Sequence, residues 1–400
     1  MRLKAPERGH LTYCTNIHAG ESWPEVRTAL AKYVPDVTRQ VAPDRAFGVG
    51  LRLSAVAAEA LRAPAAMEEL KALLAGSDCY VFTINGFPYG PFHGRRVKEA
   101  VYQPDWRREE RVAYSDLLAD LLVELLPEDD ALAGSISTVP GTFKPLAEAP
   151  DAIDEMTRNL IRHAAHLVQI ERASGRTIAL ALEPEPYCFL ETIEETVGFF
   201  EQRLFARAAV AQLVEHTSAS PSDAEAALRR HLGVCYDVCH AAVEFEDPAG
   251  SLAALHGAGI ALPKLQLSAA LRIPEVGPDT ADQLRPFDEP VYLHQVVERR
   301  GGRLIRHLDL PDALASIAES GGAEWRVHFH VPIFLDELKD FATTQPFLRE
   351  ILALHRQRPI SSHLEVETYT WDVLPERYRQ VDVASAIARE LAWVIELLDA

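Results

Sequence analysis

Short apolar runs that end in small or polar residues alternate along the chain with longer stretches whose apolar residues recur every three or four positions. The short runs predict strands and the three-four spacing predicts helices. On this reading nine strands fall at 11–18, 47–53, 79–85, 133–139, 178–183, 233–237, 263–268, 326–331 and 363–368. Helices are predicted over 22–34, 55–74, 111–126, 152–173, 193–213, 222–231, 312–319, 341–355 and 381–398. Ser222 and Glu225 have the spacing of a capping box at the start of one of them. Such alternation predicts a parallel sheet in an α/β fold. Nine candidates lie close to the eight strands of a (β/α)8 TIM barrel, so one of them is expected to be misassigned or to lie outside it. The stretch 292–308 reads differently, because two short arms flank Gly301-Gly302, which is a hairpin signal. We expect it to be an insertion near the barrel mouth. No internal repeat, low-complexity run or long linker divides the chain, so 1–400 is expected to form a single TIM-barrel domain with a C-terminal helix.

Composition narrows the function classes. The chain has 400 residues, long enough for one large barrel. Its 40 Lys and Arg against 59 Asp and Glu give a net charge of −19, which repels nucleic-acid backbones and argues against a nucleic-acid partner. No apolar run reaches the roughly 18 residues that would span a bilayer, so an integral membrane protein is not expected. Basic residues near the start are not followed by an apolar segment, and a cytoplasmic protein is expected. Five cysteines, an odd and scattered number, fit reduced thiols. Phosphate-loop, dinucleotide-binding, nucleophile-elbow and HExxH motifs are all missing from the sequence, which removes most support for nucleotide-driven and serine-hydrolase chemistry.

The chemistry-bearing residues cluster at predicted strand ends, where barrel enzymes build their sites. Glu183 follows five apolar residues in Ile178-Ala-Leu-Ala-Leu-Glu183-Pro-Glu-Pro186, and the two prolines stop the strand. Asp237 ends another strand, with His240 three residues on. His328 and His330 are two apart, as are Glu365 and Glu367, so each pair shares a strand face. Gln266 adds an amide at a further strand end. Glu183, Asp237, Gln266, His328, His330 and Glu367 form a candidate ligand set for a divalent ion, Mn2+ or Zn2+ first, with Mg2+ or Co2+ as alternatives. Whether Gln266 or an imidazole completes the set, and whether Glu365 or Glu367 points inward, stays open at this level. The early strand ends carry Asn16, His18, Arg52, Asn85, Tyr89 and His93, a mixture suited to a small, largely neutral polar metabolite.

Several blocks resemble a known family. Cys14-Thr-Asn-Ile-His18-Ala-Gly-Glu-Ser-Trp23, Asn85-Gly-Phe-Pro-Tyr-Gly90, Leu182-Glu-Pro-Glu-Pro186, Cys235-Tyr-Asp-Val-Cys-His240, Val327-His-Phe-His-Val-Pro332 and Glu365-Val-Glu-Thr-Tyr-Thr-Trp371 look like the metabolite traffic protein EboE family, within the xylose isomerase-like TIM-barrel superfamily. The resemblance implies a barrel encoded beside prenyltransferase-like and membrane partners, concerned with moving or modifying a metabolite precursor. In the isomerase superfamily a Glu, an Asp, a His and a Glu hold the metal; Glu183, Asp237 and Glu365 or Glu367 carry over by position, whereas the usual His falls near Gln266. Isomerase or epimerase chemistry would then use Glu183 and Glu365 or Glu367 as acid and base, with His240 orienting a substrate oxygen. A non-catalytic carrier and a metal-dependent phosphoesterase are the competing readings.

Overall fold

The computed structural model describes residues 1–129, 132–379 and 381–399. Seven parallel strands come first: β1 (His10–Tyr13), β2 (Phe47–Arg52), β3 (Cys79–Asn85), β4 (Gly134–Thr138), β5 (Ile178–Leu182), β6 (Leu232–Asp237) and β7 (Ala261–Leu267). Six more form a separate sheet: β8 (Ala270–Ile273), β9 (Val296–Arg300), β10 (Arg303–His307), β11 (Glu324–His330), β12 (Glu337–Leu338) and β13 (Phe341–Thr343). The chain then returns to the first sheet as β14 (His363–Val366), which lies between β1 and β7. The first sheet has eight strands in the order β1-β14-β7-β6-β5-β4-β3-β2, a nearly closed (β/α)8 barrel.

Parallel strands covered on both sides need apolar residues at nearly every position. β5, written Ile-Ala-Leu-Ala-Leu, is buried throughout. The barrel closes between β1 and β2 through a parallel bridge from Cys14 to Gly50. Thr12 replaces part of the missing ladder, its hydroxyl donating to the Gly48 carbonyl at 2.7 Å and accepting from the Gly50 amide at 2.8 Å.

The strand expected outside the barrel is the one around 326–331, now β11. The hairpin expected at 292–308 is β9 and β10, turning at Gly301 and Gly302 with φ of 56° and 79° as a tight hairpin turn demands. It is only part of the insertion, because β8, β11, β12 and β13 join it in an antiparallel sheet. One buried apolar cluster runs from the barrel through Val296, Trp325, Val327 and Phe329 of this sheet.

Helix boundaries depart from expectation in instructive places. The helix expected over 55–74 is two, Ala55–Ala60 and Pro64–Gly76, because Pro64 lacks the amide a continuous helix would need and starts the second one instead. The helix expected to stop before Pro35 runs on as Trp23–Val41, since Val34 and Val37 continue its buried face. Phe341–Thr343 is strand rather than helix, and the helix begins at Gln345. The cap of Pro221–His231 is Ser220, whose hydroxyl accepts from the Asp223 amide, and not Ser222.

Candidate metal centre

At the C-terminal end of the barrel three carboxylates converge. Glu183 follows β5, Asp237 ends β6 and Glu367 follows β14. Each offers an oxygen within 4.8 Å of the others, and all three side chains are buried. Asp237 and Glu367 are each tethered by side-chain hydrogen bonds. Asp237 Oδ1 accepts from Ser268 Oγ at 2.6 Å and from the His240 amide at 3.1 Å, capping the short helix Val238–Val243. Glu367 Oε1 accepts from the amides of Asn16 at 2.6 Å and Asn85 at 3.1 Å. The facing atoms Glu183 Oε2 and Asp237 Oδ2 are buried and have no hydrogen-bond partner.

Beside them stand three imidazoles. His240 belongs to the helix after β6, and His328 and His330 come from β11 of the inserted sheet. His240 Nδ1 lies 2.9 Å from the Pro184 carbonyl and His330 Nδ1 lies 2.9 Å from the Glu367 carbonyl. Carbonyls only accept, so each Nδ1 carries the proton. His328 Nδ1 lies 2.7 Å from Gln295 Oε1, while Gln295 Nε2 donates to Tyr102, Glu185 and the Pro186 carbonyl, so His328 is also protonated at Nδ1. The three Nε2 lone pairs therefore face one another, 3.1 Å apart for His240 and His328 and 3.2 Å for His328 and His330.

The electrostatics match this crowding. Burial, then the neighbouring Glu367 and Asp237, push the Glu183 carboxyl well above its ordinary range. Burial, then Asp237 and Glu365, raise Glu367 to about 8. Burial also raises Glu185, and it lowers His330 to about 4 and His328 well below its usual value. Unpaired carboxylate oxygens facing imidazole lone pairs are costly unless protons or a cation fill the space between them. The donor set fits a divalent cation: the three carboxylates suit Mg2+ or Mn2+, and Asp237 with His240 and His330 suits Zn2+.

The remaining expected site residues take other places. Glu365 and Gln266 lie away from the gathered carboxylates: Glu365 pairs with Lys264 at 2.7 Å, and Gln266 Nε2 donates to Glu365 at 3.3 Å. Although burial opposes it, Glu365 holds the Lys264 ammonium above its ordinary range. The imidazoles near the carboxylates are therefore His240, His328 and His330, while Gln266 bonds to Glu365. His18 stacks on Tyr33 at 4.1 Å, and Arg52 is held by the Gly20 and Gly90 carbonyls at 2.8 and 2.6 Å, in a small hollow apart from the main cleft. Tyr89 packs edge-on against Tyr114. His93 joins the Asn16 carbonyl at 2.6 Å to the Tyr292 hydroxyl at 3.0 Å.

Sequence reasoning did not select Glu185, Gln295 or Tyr102, nor Cys239, whose buried thiol lies with His328 and His330 in a further group of potential ligands. Glu185 was visible as the second acid of Glu-Pro-Glu-Pro; Gln295 carries no local signal, because its role depends on the insertion folding back over β5.

No family model matches the sequence, and no curated protein matches it. Solved structures do. A xylose isomerase-like TIM barrel protein from Mycobacterium smegmatis, in complex with magnesium, aligns with a TM-score of 0.51 and 13% identity over 98% of this chain and 96% of that one. The probable 3-DHS dehydratase AsbF of Bacillus anthracis gives 0.45 and 12% identity over 96% and 97%. The IolI protein with a bound zinc atom gives 0.43 and 13% over 98% of both chains. The likeness to the first bears on the fold alone: this chain is a TIM barrel that folds as that xylose isomerase-like protein does. No helix among the described residues is long and apolar enough to cross a membrane.

Proposed function

We propose that the protein is a divalent-metal-dependent enzyme that removes a proton from a carbon of a small polar metabolite and returns one either to the neighbouring carbon, as isomerases do, or to the opposite face of the same carbon, as epimerases do. The observation that carries this reading is the buried triad Glu183, Asp237 and Glu367, with Glu183 Oε2 and Asp237 Oδ2 left unpaired. A bound divalent cation polarises a carbonyl or hydroxyl and so acidifies the adjacent carbon. Glu183 and Glu367, both with raised affinity for a proton, divide the exchange: the one that is ionised would take the proton from the carbon while the other, protonated, would supply one in its place, and the two end with their protonation states swapped. Asn16 and Asn85 fix the Glu367 carboxyl in place for this exchange. The sequence blocks that resemble the EboE family support a place in cytoplasmic processing or traffic of a metabolite precursor, where the alternative role is a carrier without catalysis.

The three converging Nε2 atoms favour a second reading, in which a further ion sits among His240, His328 and His330 and the chemistry is phosphoester hydrolysis. Metal content separates the readings. The protein is stripped with chelator, reloaded with Mn2+ or Zn2+ and measured by elemental mass spectrometry beside Glu183→Gln and Asp237→Asn. One ion per chain, lost in both variants, supports the isomerase reading. Two or three ions support the phosphoesterase, and no ion at all leaves the carrier.

A further inference from the structure

A half-open cleft lies above the metal centre, lined by residues of the barrel ends and of the inserted sheet's connections. Its floor is acidic and imidazole-rich, with Glu183, Glu185, Glu367, His240 and His328 all contributing. Beyond the metal itself, a phosphate remote from the reacting carbon would need a cationic side chain of its own there. Among the described lining residues Lys98 is the one Lys or Arg, and its ammonium is already taken, 2.5 Å from Asp309 and 3.3 Å from the Glu289 carbonyl. Lys264 is bound to Glu365, and Arg52 is held by two carbonyls and Glu21.

The walls have the opposite character. Phe92, Tyr292 and Tyr369 pack together with ring centres 5.0 to 5.3 Å apart, the two tyrosines edge-on to each other and Phe92 tilted against both, although they come from the loop after β3, the insertion and the segment after β14. Phe87 and Leu293 extend this apolar surface. At the polar end Asn16 Oδ1 is buried, lies in the lining residue Asn16 and has no partner, an acceptor suited to a hydroxyl.

We propose that the cleft takes an uncharged polyhydroxylated molecule bearing an apolar, ring-sized substituent, and that it discriminates against phosphorylated sugars. The hydroxyls face Asn16 and the carboxylates, and the substituent lies against Phe92, Tyr292 and Tyr369. This rests on the metal-centre reading above for the polar end, while the walls stand on their own.

The test is calorimetric titration of the Mn2+-loaded protein with methyl and phenyl glycosides of glucose, galactose, mannose and xylose, and with glucose 6-phosphate and mannose 6-phosphate against their parent sugars. In at least one sugar the phenyl glycoside should bind at least tenfold more tightly than its methyl counterpart, and neither phosphate should bind more tightly than its parent. Phe92→Ser, or Leu293→Ser should the first not fold, should abolish the phenyl advantage with metal content unchanged. A phenyl advantage below tenfold in every pair, absence of any binding included, overturns the proposal. So does a phosphate binding tenfold better than its parent, or an advantage that survives in the folded variant. Metal content is measured on the same samples. Absent metal with a retained phenyl advantage removes the catalytic reading and keeps the apolar cleft; bound metal without the advantage does the reverse.

Discussion

Gln295 shows how much a single amide can decide. Its oxygen faces His328 Nδ1 and its nitrogen serves Glu185, Tyr102 and the Pro186 carbonyl, so it fixes both the tautomer of His328 and the position of Glu185. Groups behind a metal ligand commonly carry a 10- to 100-fold share of affinity. Gln295→Leu should therefore weaken Zn2+ binding by about that factor while the protein stays folded, which a competition titration with a chromophoric chelator would measure. A second buried group acts on stability instead. Glu390, on the C-terminal helix Val383–Asp399, accepts from Thr368 Oγ1 at 2.7 Å and from the Ile333 amide at 3.1 Å, yet burial raises its carboxyl to about 7. The folded state thus holds this proton more tightly than the unfolded chain, whose glutamates titrate near about 4.3. Stability from Glu390 is full below that value and is lost as pH rises towards about 7. Glu390→Gln keeps the accepting oxygen without the charge. Denaturant titrations should show it gaining up to about 3 kcal/mol on wild type at pH 8 relative to pH 4, and equal differences at both pH values would refute the assignment.

At the scale of elements, closure of the barrel depends on a very close approach. A side-chain carbon on Gly50 of β2 would overlap Glu365 Oε2 and lie 2.6 Å from the Tyr13 carbonyl of β1. Gly50→Ala should lower stability by about 1–3 kcal/mol, read as a fall in melting temperature, because neither neighbour is free to retreat. The barrel strands were legible as short segments alternating with helical stretches, apolar throughout in β5, and all eight overlap the spans the pattern predicts, although β4 is largely polar and β1 stops at Tyr13, where a 3-10 turn over Thr15–Ile17 replaces the expected strand end. The site was legible for the same reason: Glu183, Asp237 and Glu367 sit at the ends of those runs. What the pattern hides is layering. Glu365 and Glu367 share a face by periodicity, yet one is paired with Lys264 in the barrel interior and the other joins the carboxylate triad. The inserted sheet was only partly visible, since β8, β12 and β13 are two to four residues long and lack a periodic signature. His18 and Arg52 carry polar groups at early strand ends, but a tyrosine hydroxyl takes up the imidazole and carbonyls take up the two terminal nitrogens of the guanidinium, and pairing of that kind depends on packing rather than on order in the chain.

For the whole molecule, crowding carboxylates and imidazole lone pairs at one end of the barrel is a cost that a bound cation would offset. A ligand that binds only the native state stabilises it by about 2.7 kcal/mol at a hundredfold excess over its Kd. Adding Mn2+ or Zn2+ to chelator-stripped protein should raise the melting temperature by a few degrees, and Asp237→Asn should blunt that rise; unchanged melting in wild type would count against a native metal centre. One further property follows from where β14 inserts. Its neighbours in the sheet are β1 and β7, and Glu367 just beyond it is held by Asn16, a residue 351 positions earlier. During synthesis the early strands emerge long before the last one. A ribosome that stalls anywhere before β14 releases a chain with an open barrel seam and an incomplete carboxylate triad, so no premature product can assemble the site, and an unfinished message yields no partly built copy of it.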